Sequence, residues 1–429
     1  MKHPRRLVAG VVALAIAGAV AVVGVRLQQG AAAPGNSAAA VKAVPSGRLT
    51  PDQTAARKQE INTLLSARAA AVRKGDVKAF LAAVNPKDAK LLARQRTLFA
   101  NLRQFGFVKL EYFLANEHQV PRMTDKYGPT AFSSRLMMRY QLSGLDKKPV
   151  QTDLAYTFVR RGSGWLLVED NVIDEVLSYA GHRQPWDYQP ITVVRRGKVA
   201  VVVAQREAAL GAKIAATAQQ AVSGVQRHWP QPWDGSVMVV AMPEPQVLSI
   251  FWTSGAQGWT IAAKDLPVYD GDPHGRRTTP VGSRIVVNPE LRKKLDKDLL
   301  AHEMTHAAAV LLGDRAPMWM VEGYAEYIRC AVIEDDPQWT VDPYRKSVRK
   351  TLPSMKALPG PAEFSANGDR SYGQAWWVIE YLIDRFSEKK VAALYADLAA
   401  HESGADAILK KHTKMTSAQL LAAVKAFRG

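Results

Sequence analysis

The sequence predicts an α+β chain in which an apolar N-terminal segment leads to a small unit of helices followed by strands. A larger unit with a mixed sheet and a helical C-terminal half comes after it. Three observations carry this. Apolar residues recur at helical spacing through 52–105 and shift to strand-like runs from Val108. A second group of short strands begins after a Pro- and aromatic-rich join, His182 to Pro190. From Pro289 onward the pattern is mostly helical.

The first element is an apolar run from Leu7 to Val25, preceded by Lys2, Arg5 and Arg6 and closed by Arg26. In a helix such a run spans about 28 Å, close to the hydrocarbon thickness of a bilayer. Basic residues before the run place the remainder of the chain outside the cytoplasm. Residues 1–27 are therefore expected to be a single-pass transmembrane anchor. A cleaved signal peptide is the alternative, because Ala31, Ala32 and Ala33 offer small residues for cleavage and would make the protein secreted. Residues 28–50 are rich in Ala, Gly, Pro, Ser and Gln and read as a flexible tether.

Residues 52–178 form the small α+β unit. Ile61, Leu64, Leu65 and Ala69 mark one helical face, Gly75 and Asp76 interrupt it, and Val77, Phe80, Leu81 and Val84 resume it. Leu91, Leu92, Leu98, Phe99 and Leu102 continue the pattern. Val108–Leu114, Arg135–Leu142, Asp153–Arg160 and Trp165–Glu169 then read as strands, the last two joined by a hairpin turn at Arg161-Gly162-Ser163-Gly164. Helices leading into an antiparallel meander define a small α+β domain.

Residues 190–429 form the larger unit. Ile191–Val194 and Val199–Ala204 are strands, 206–228 an Ala-rich helix, and Val237–Ala241, Gly258–Ala263 and Arg284–Asn288 further strands. No internal repeat is visible.

Composition bounds the function. Of 429 residues, 47% are hydrophobic and 22% charged, which suits folded domains rather than a disordered chain. Residues 1–180 hold 26 Lys/Arg against 13 Asp/Glu, a net of +13 in a total of +18. This basic excess suits an anionic surface partner such as lipid headgroups or a wall polymer, or serves solubility alone. Nucleic acid is not expected as a partner, since no recognition motif accompanies the charge. Cys330 is the sole cysteine, so no disulfide forms within the chain, and it reads as a buried thiol.

The chemistry is concentrated in His302-Glu303-Met304-Thr305-His306. Residues four apart leave a helix on one face, so both imidazoles can reach one metal ion while Glu303 reaches a water bound to it. A catalytic zinc takes three protein ligands and keeps one position open. Five residues are few enough to coincide by chance, and the next segment carries the weight. After a break at Gly313–Pro317, Trp319-Met320-Val321-Glu322-Gly323-Tyr324-Ala325-Glu326-Tyr327 starts a second helix able to supply a third ligand.

Together these segments resemble the gluzincin zinc metallopeptidases, in particular the peptidase MA-like group, related to the M1 aminopeptidases. The resemblance implies a zincin-type domain over 190–429, Zn2+ as cofactor, Glu303 as general base, and Glu322 as third metal ligand beside His302 and His306. The interval from His306 to Glu322 is slightly shorter than in the M1 enzymes, which favours the broader group. Glu326 is the rival ligand on the same helix face, and better suits orienting a ligand histidine through its other ring nitrogen. Tyr372, in Arg370-Ser371-Tyr372-Gly373-Gln374-Ala375, matches a tyrosine that in related enzymes hydrogen-bonds the tetrahedral intermediate. The strand Arg284–Asn288 stands where zincins carry an edge strand that pairs with extended substrate. The opening helices and the closing Gly-Trp-Leu-Leu-Val strand of 52–178 resemble the cone-shaped NTF2-like fold.

The expected function is an extracytoplasmic, membrane-attached zinc peptidase acting on a peptide or protein substrate, more an endopeptidase than an exopeptidase, since no G-x-M-E-N-like amine-binding motif is present. The alternative is an anchored surface-binding protein with an inactive or structural metal domain. Asp270-Gly271-Asp272-Pro273-His274 offers carboxylates and a histidine, yet its Gly and Pro mark a turn rather than a second metal site. His228, His401 and His412 lack a partner at ligand spacing and read as surface residues.

Overall fold

The computed structural model describes residues 51–177, 184–244, 263–271, 277–313, 315–401 and 404–429, together with Arg6 and Leu7. The rest of the predicted N-terminal anchor and the tether lie outside the described residues. Among the described residues no helix is long and apolar enough to cross a membrane.

The architecture is mixed α+β with two main sheets. Helices α1 (Pro51–Lys74), α2 (Val77–Leu81) and α3 (Ala89–Leu102) come first. Asp76 and Asp88 cap α2 and α3, accepting hydrogen bonds from the backbone N–H of Ala79 and Leu91. Strands β1 (Phe107–His118), β2 (Phe132–Leu142), β3 (Val150–Arg161) and β4 (Gly164–Glu169) then form an antiparallel meander in sequential order. The β3–β4 turn pairs Arg161 with Gly164 and gives Gly162 a φ of +59°, a conformation that favours glycine. Short helices α4 (Pro121–Tyr127) and α5 (Ile173–Leu177) complete this unit; the sequence pattern was too brief to predict them.

The second sheet contains β5 (Ile191–Arg196), β6 (Val199–Ala204), β7 (Val237–Val240), β8 (Ala263–Gly271) and β9 (Arg277–Val287), with α6 (Ala208–His228) crossing from β6 to β7. Its order is β5-β6-β7-β9-β8, parallel at β6–β7 and β7–β9 and antiparallel at both ends. The strand that the sequence places at an edge is internal to the sheet. Arg284–Val287 is not an outer edge: Arg284 pairs with Met238 on one side and Leu266 on the other. The edge belongs to β8. Its hairpin with β9 escaped the sequence reading because Pro267, Asp270, Pro280 and Gly282 break the alternation, and two register shifts accommodate them. The predicted strand 258–263 lies outside the described residues except for Ala263.

Strand β6, Val-Ala-Val-Val-Val-Ala, is buried on both faces. Val199, Val201 and Val203 join the core under the helices, while Ala200 and Val202 join the core of the first unit. The first unit therefore packs against the face of the second sheet opposite the helices. Side chains fix the junction. Asn101 donates to the carbonyls of Trp186 and Gln189 (2.9 and 2.8 Å) and accepts from the N–H of Ile191 (3.1 Å). Gln104 donates to Ile191 O (2.7 Å) and accepts from Val193 N–H (2.9 Å), so these two side chains satisfy the first backbone groups on the outer edge of β5. Elsewhere at the junction, Arg284 of β9 pairs with Asp146 of the first unit at 2.7 Å, with both side chains buried.

On the other face lie α7 (Lys297–Ala309) and α8 (Met318–Glu334), followed by α9 (Asp342–Thr351), α10 (Pro361–Ala366), α11 (Gly368–Phe386), α12 (Glu388–Ala400), α13 (Ala405–Thr413) and α14 (Ser417–Ala426). Asp296 caps α7 by accepting from Leu299 N–H at 3.0 Å. The chain turns at Gly313, with φ +128°, where a Cβ would meet the Ala399 carbonyl oxygen at 2.2 Å. Pro317 then starts α8.

Candidate metal centre

Helix α7 is apolar on most of its surface: Leu300, Ala301, Met304, Ala308 and Ala309 are buried in the main core. His302 and Glu303 are buried with them, which is costly for such groups unless they are paired. Helix α8 packs against α7 and supplies the partners. Glu322 and Glu326, four residues apart, share the face of α8 that meets the histidines.

The separations are short and nearly equal. His302 Nε2 lies 3.2 Å from His306 Nε2, and Glu322 Oε2 lies 3.3 Å from each of these nitrogens. A tetrahedral ion with bonds of about 2.0–2.1 Å holds its ligand atoms about 3.3–3.4 Å apart. The triangle therefore fits a small cation. Glu322 Oε2 is buried and makes no hydrogen bond, although both ring nitrogens are near it. An orphaned carboxylate oxygen facing two imidazole nitrogens is expected of groups arranged around an ion, and these three residues could hold a metal.

The other ring nitrogen of His302, Nδ1, is 3.2 Å from Glu326 Oε2. With the proton on Nδ1, Nε2 presents its lone pair to the shared space. Glu326 Oε1 accepts from Arg329 Nη1 at 2.9 Å, and Arg329 Nε donates to Asp298 Oδ2 at 3.2 Å. Neither Arg329 nor Asp298 was singled out from the sequence. Arg329 stands three residues after Glu326 and Asp298 four before His302, spacings that put them on the right faces without showing that they meet.

The metal-free electrostatics follow from this geometry. Burial lowers the pKa of His302, but its contacts with Glu322 and Glu326 and the charge of Glu303 outweigh it and push it up to about 10. Burial opposes ionisation of Glu322, yet His306 and His302 hold its carboxyl well below the usual range. Glu326 is drawn down to about 2 against its burial, chiefly by Arg329 and His302.

Tyr372, in the first turns of α11, is buried with its ring centroid 5.9 Å from that of His302 and 5.0 Å from that of Phe364. Burial and the charges of Glu322, Glu303 and Glu326 raise its pKa far above 10, so it keeps its O–H proton. The structure thus brings His302, Glu303, His306, Glu322, Glu326 and Tyr372 into one neighbourhood. His306 is the more exposed of the two histidines, its side chain retaining 14% exposure against 3% for His302, and it marks the side open to solvent.

The other candidates do not join them. Cys330 is buried one turn beyond Glu326, and burial raises its thiol pKa. His228 pairs with Asp335 and His412 with Asp397, both away from this cluster. Residues 272–274 of the Asp270–His274 loop lie outside the described residues. No protein-family model matches the chain, and no curated protein sequence matches it.

Proposed function

We propose that the chain is a zinc-dependent peptidase of gluzincin type. The observation that carries the reading is the His302–His306–Glu322 triangle with Glu303 beside it on α7. Two imidazoles and one carboxylate are the donor set of hydrolytic zinc sites with an open fourth position, whereas structural zinc sites are closed with Cys and His. Cys330, the sole cysteine, lies outside the cluster.

Zinc bound by His302, His306 and Glu322 would supply a Lewis acid and a water of lowered pKa. Glu303 would serve as the general base that accepts a proton from the attacking water and returns it to the amine nitrogen released when the scissile C–N bond breaks. Tyr372, protonated at any physiological pH, donates its O–H to the developing oxyanion. Glu326 holds the His302 ring and its tautomer. Strand β8, paired only with β9 among the described residues and packed near α7, offers backbone groups along which extended substrate aligns.

The apolar segment Leu7–Val25 supports a membrane-attached or exported location, with the site outside the cytoplasm. The opening helices and antiparallel meander of 51–177 support an NTF2-like first unit. Its broad contact with the second sheet suits a rigid support for the catalytic half.

Metal analysis combined with cleavage of a mixed peptide library tests the proposal. One zinc per chain and cleavage abolished by a chelator and restored by zinc are expected. A zinc-loaded chain that cleaves no peptide overturns it.

A further inference from the structure

We infer that Arg329 is a positioning residue for the metal centre: it fixes Glu326, and through it His302, by closing a ring of four side chains across α7 and α8. The inference rests on the proposed zinc site and extends it to residues that touch no metal. The ring runs from His302 Nδ1 to Glu326 Oε2 (3.2 Å), from Glu326 Oε1 to Arg329 Nη1 (2.9 Å), and from Arg329 Nε to Asp298 Oδ2 (3.2 Å). Asp298 and His302 are four apart on α7, so the helix itself closes the circuit.

Position and chemistry both require arginine. The two carboxylates lie on different helices, and the planar guanidinium offers a separate nitrogen to each. A lysine has one nitrogen at the end of a flexible stem and cannot keep both contacts in the same geometry. Glu326 is 1% exposed, so its charge needs a close cation when His302 is a neutral metal ligand. Arg329, with its side chain 16% exposed, is that cation.

The test is zinc affinity by competition with a chromogenic chelator, together with thermal unfolding of the metal-free protein. R329Q is expected to lose about 10–100-fold in zinc affinity, the usual effect of removing an outer partner of a metal ligand. R329K should recover part of the loss. In the E326Q background R329Q should cause no further loss, because both changes break one path. D298N provides a second entry to the ring if R329Q does not fold, and its loss should likewise disappear in the E326Q background. Wild-type affinity in folded R329Q, or losses that add fully to that of E326Q, would overturn the inference while leaving the zinc site intact. A wild-type chain that binds no zinc would overturn the proposed function itself.

Discussion

Gly323 stands between the proposed ligand Glu322 and the core, where α8 crosses α11. A Cβ at this position would lie 2.5 Å from the Ala375 carbonyl oxygen, 2.7 Å from its carbon and 3.0 Å from Ile379 Cγ1. Two of these are backbone atoms of a buried helix and cannot rotate away. Restoring an ordinary 3.4 Å contact from 2.5 Å requires the helices to part by about 0.9 Å. Overpacking of this kind costs about 1–3 kcal/mol, and the helix propensity of alanine over glycine returns about 1 kcal/mol. Gly323→Ala should therefore destabilise the fold by about 0–2 kcal/mol, a small change. The effect on chemistry should be much larger. Glu322 is the neighbouring residue on α8, and Tyr372 lies three residues before Ala375 on α11, so the shift acts between the proposed ligand and the proposed oxyanion donor. A misplacement of about 1 Å costs on the order of 100-fold in turnover. Zinc content should stay near one per chain, because the helices that carry the proposed ligands, α7 and α8, remain packed together. Peptide turnover, metal analysis and thermal unfolding measured on one preparation check this. Unchanged turnover in a folded, zinc-loaded G323A protein would refute the argument that close approach of these helices sets the site.

Other expectations follow from the same geometry. Tyr372→Phe should keep zinc and lose about 100–1000-fold in turnover, since it removes only the oxyanion donor, and unchanged steady-state turnover would remove that role. Zinc binding should release protons and tighten with rising pH. His302 is protonated up to about 10 in the metal-free chain and must lose that proton to bind; calorimetry in buffers of different ionisation enthalpy would show no proton release if this is wrong. The stability that His302 gains from its carboxylate partners in the metal-free protein should be complete below its unfolded pKa of about 6.5 and be lost as pH rises through about 10. A metal-free midpoint that climbs over that window in step with His302 titration would contradict it. Asp146→Ala should cost about 3–5 kcal/mol in denaturant unfolding by leaving Arg284 buried without its partner, and a negligible loss would show that the junction does not depend on the pair.

Much of this organisation was legible in the sequence because it is periodic. The alternation in Arg135–Leu142 and Asp153–Arg160, the Gly162 turn and the buried run Val199–Ala204 all encode their strands locally. His302, Glu303 and His306 were legible for the same reason, as helical spacing defines which side chains share a face. The β8–β9 hairpin was not, because prolines, bulges and aspartates hide a strand whose place depends on tertiary pairing. That pairing also moved the open edge from Arg284–Asn288 to Ala263–Gly271. Arg329 and Asp298 are 31 residues apart, and only the packing of α8 on α7 makes them neighbours. The docking of the first unit through Asn101, Gln104 and Asp146 was equally invisible, since polar side chains aimed at another element's backbone carry no period.

The central claim is that Glu303 moves protons for a water activated in this site. The most direct measurement is Glu303→Gln, comparing zinc content with cleavage of whichever peptide the wild-type chain cuts. The substitution keeps size and removes the base, so zinc should remain at one per chain while turnover falls by about 100–10,000-fold. A zinc-loaded E303Q protein that cleaves at the wild-type rate would contradict the account.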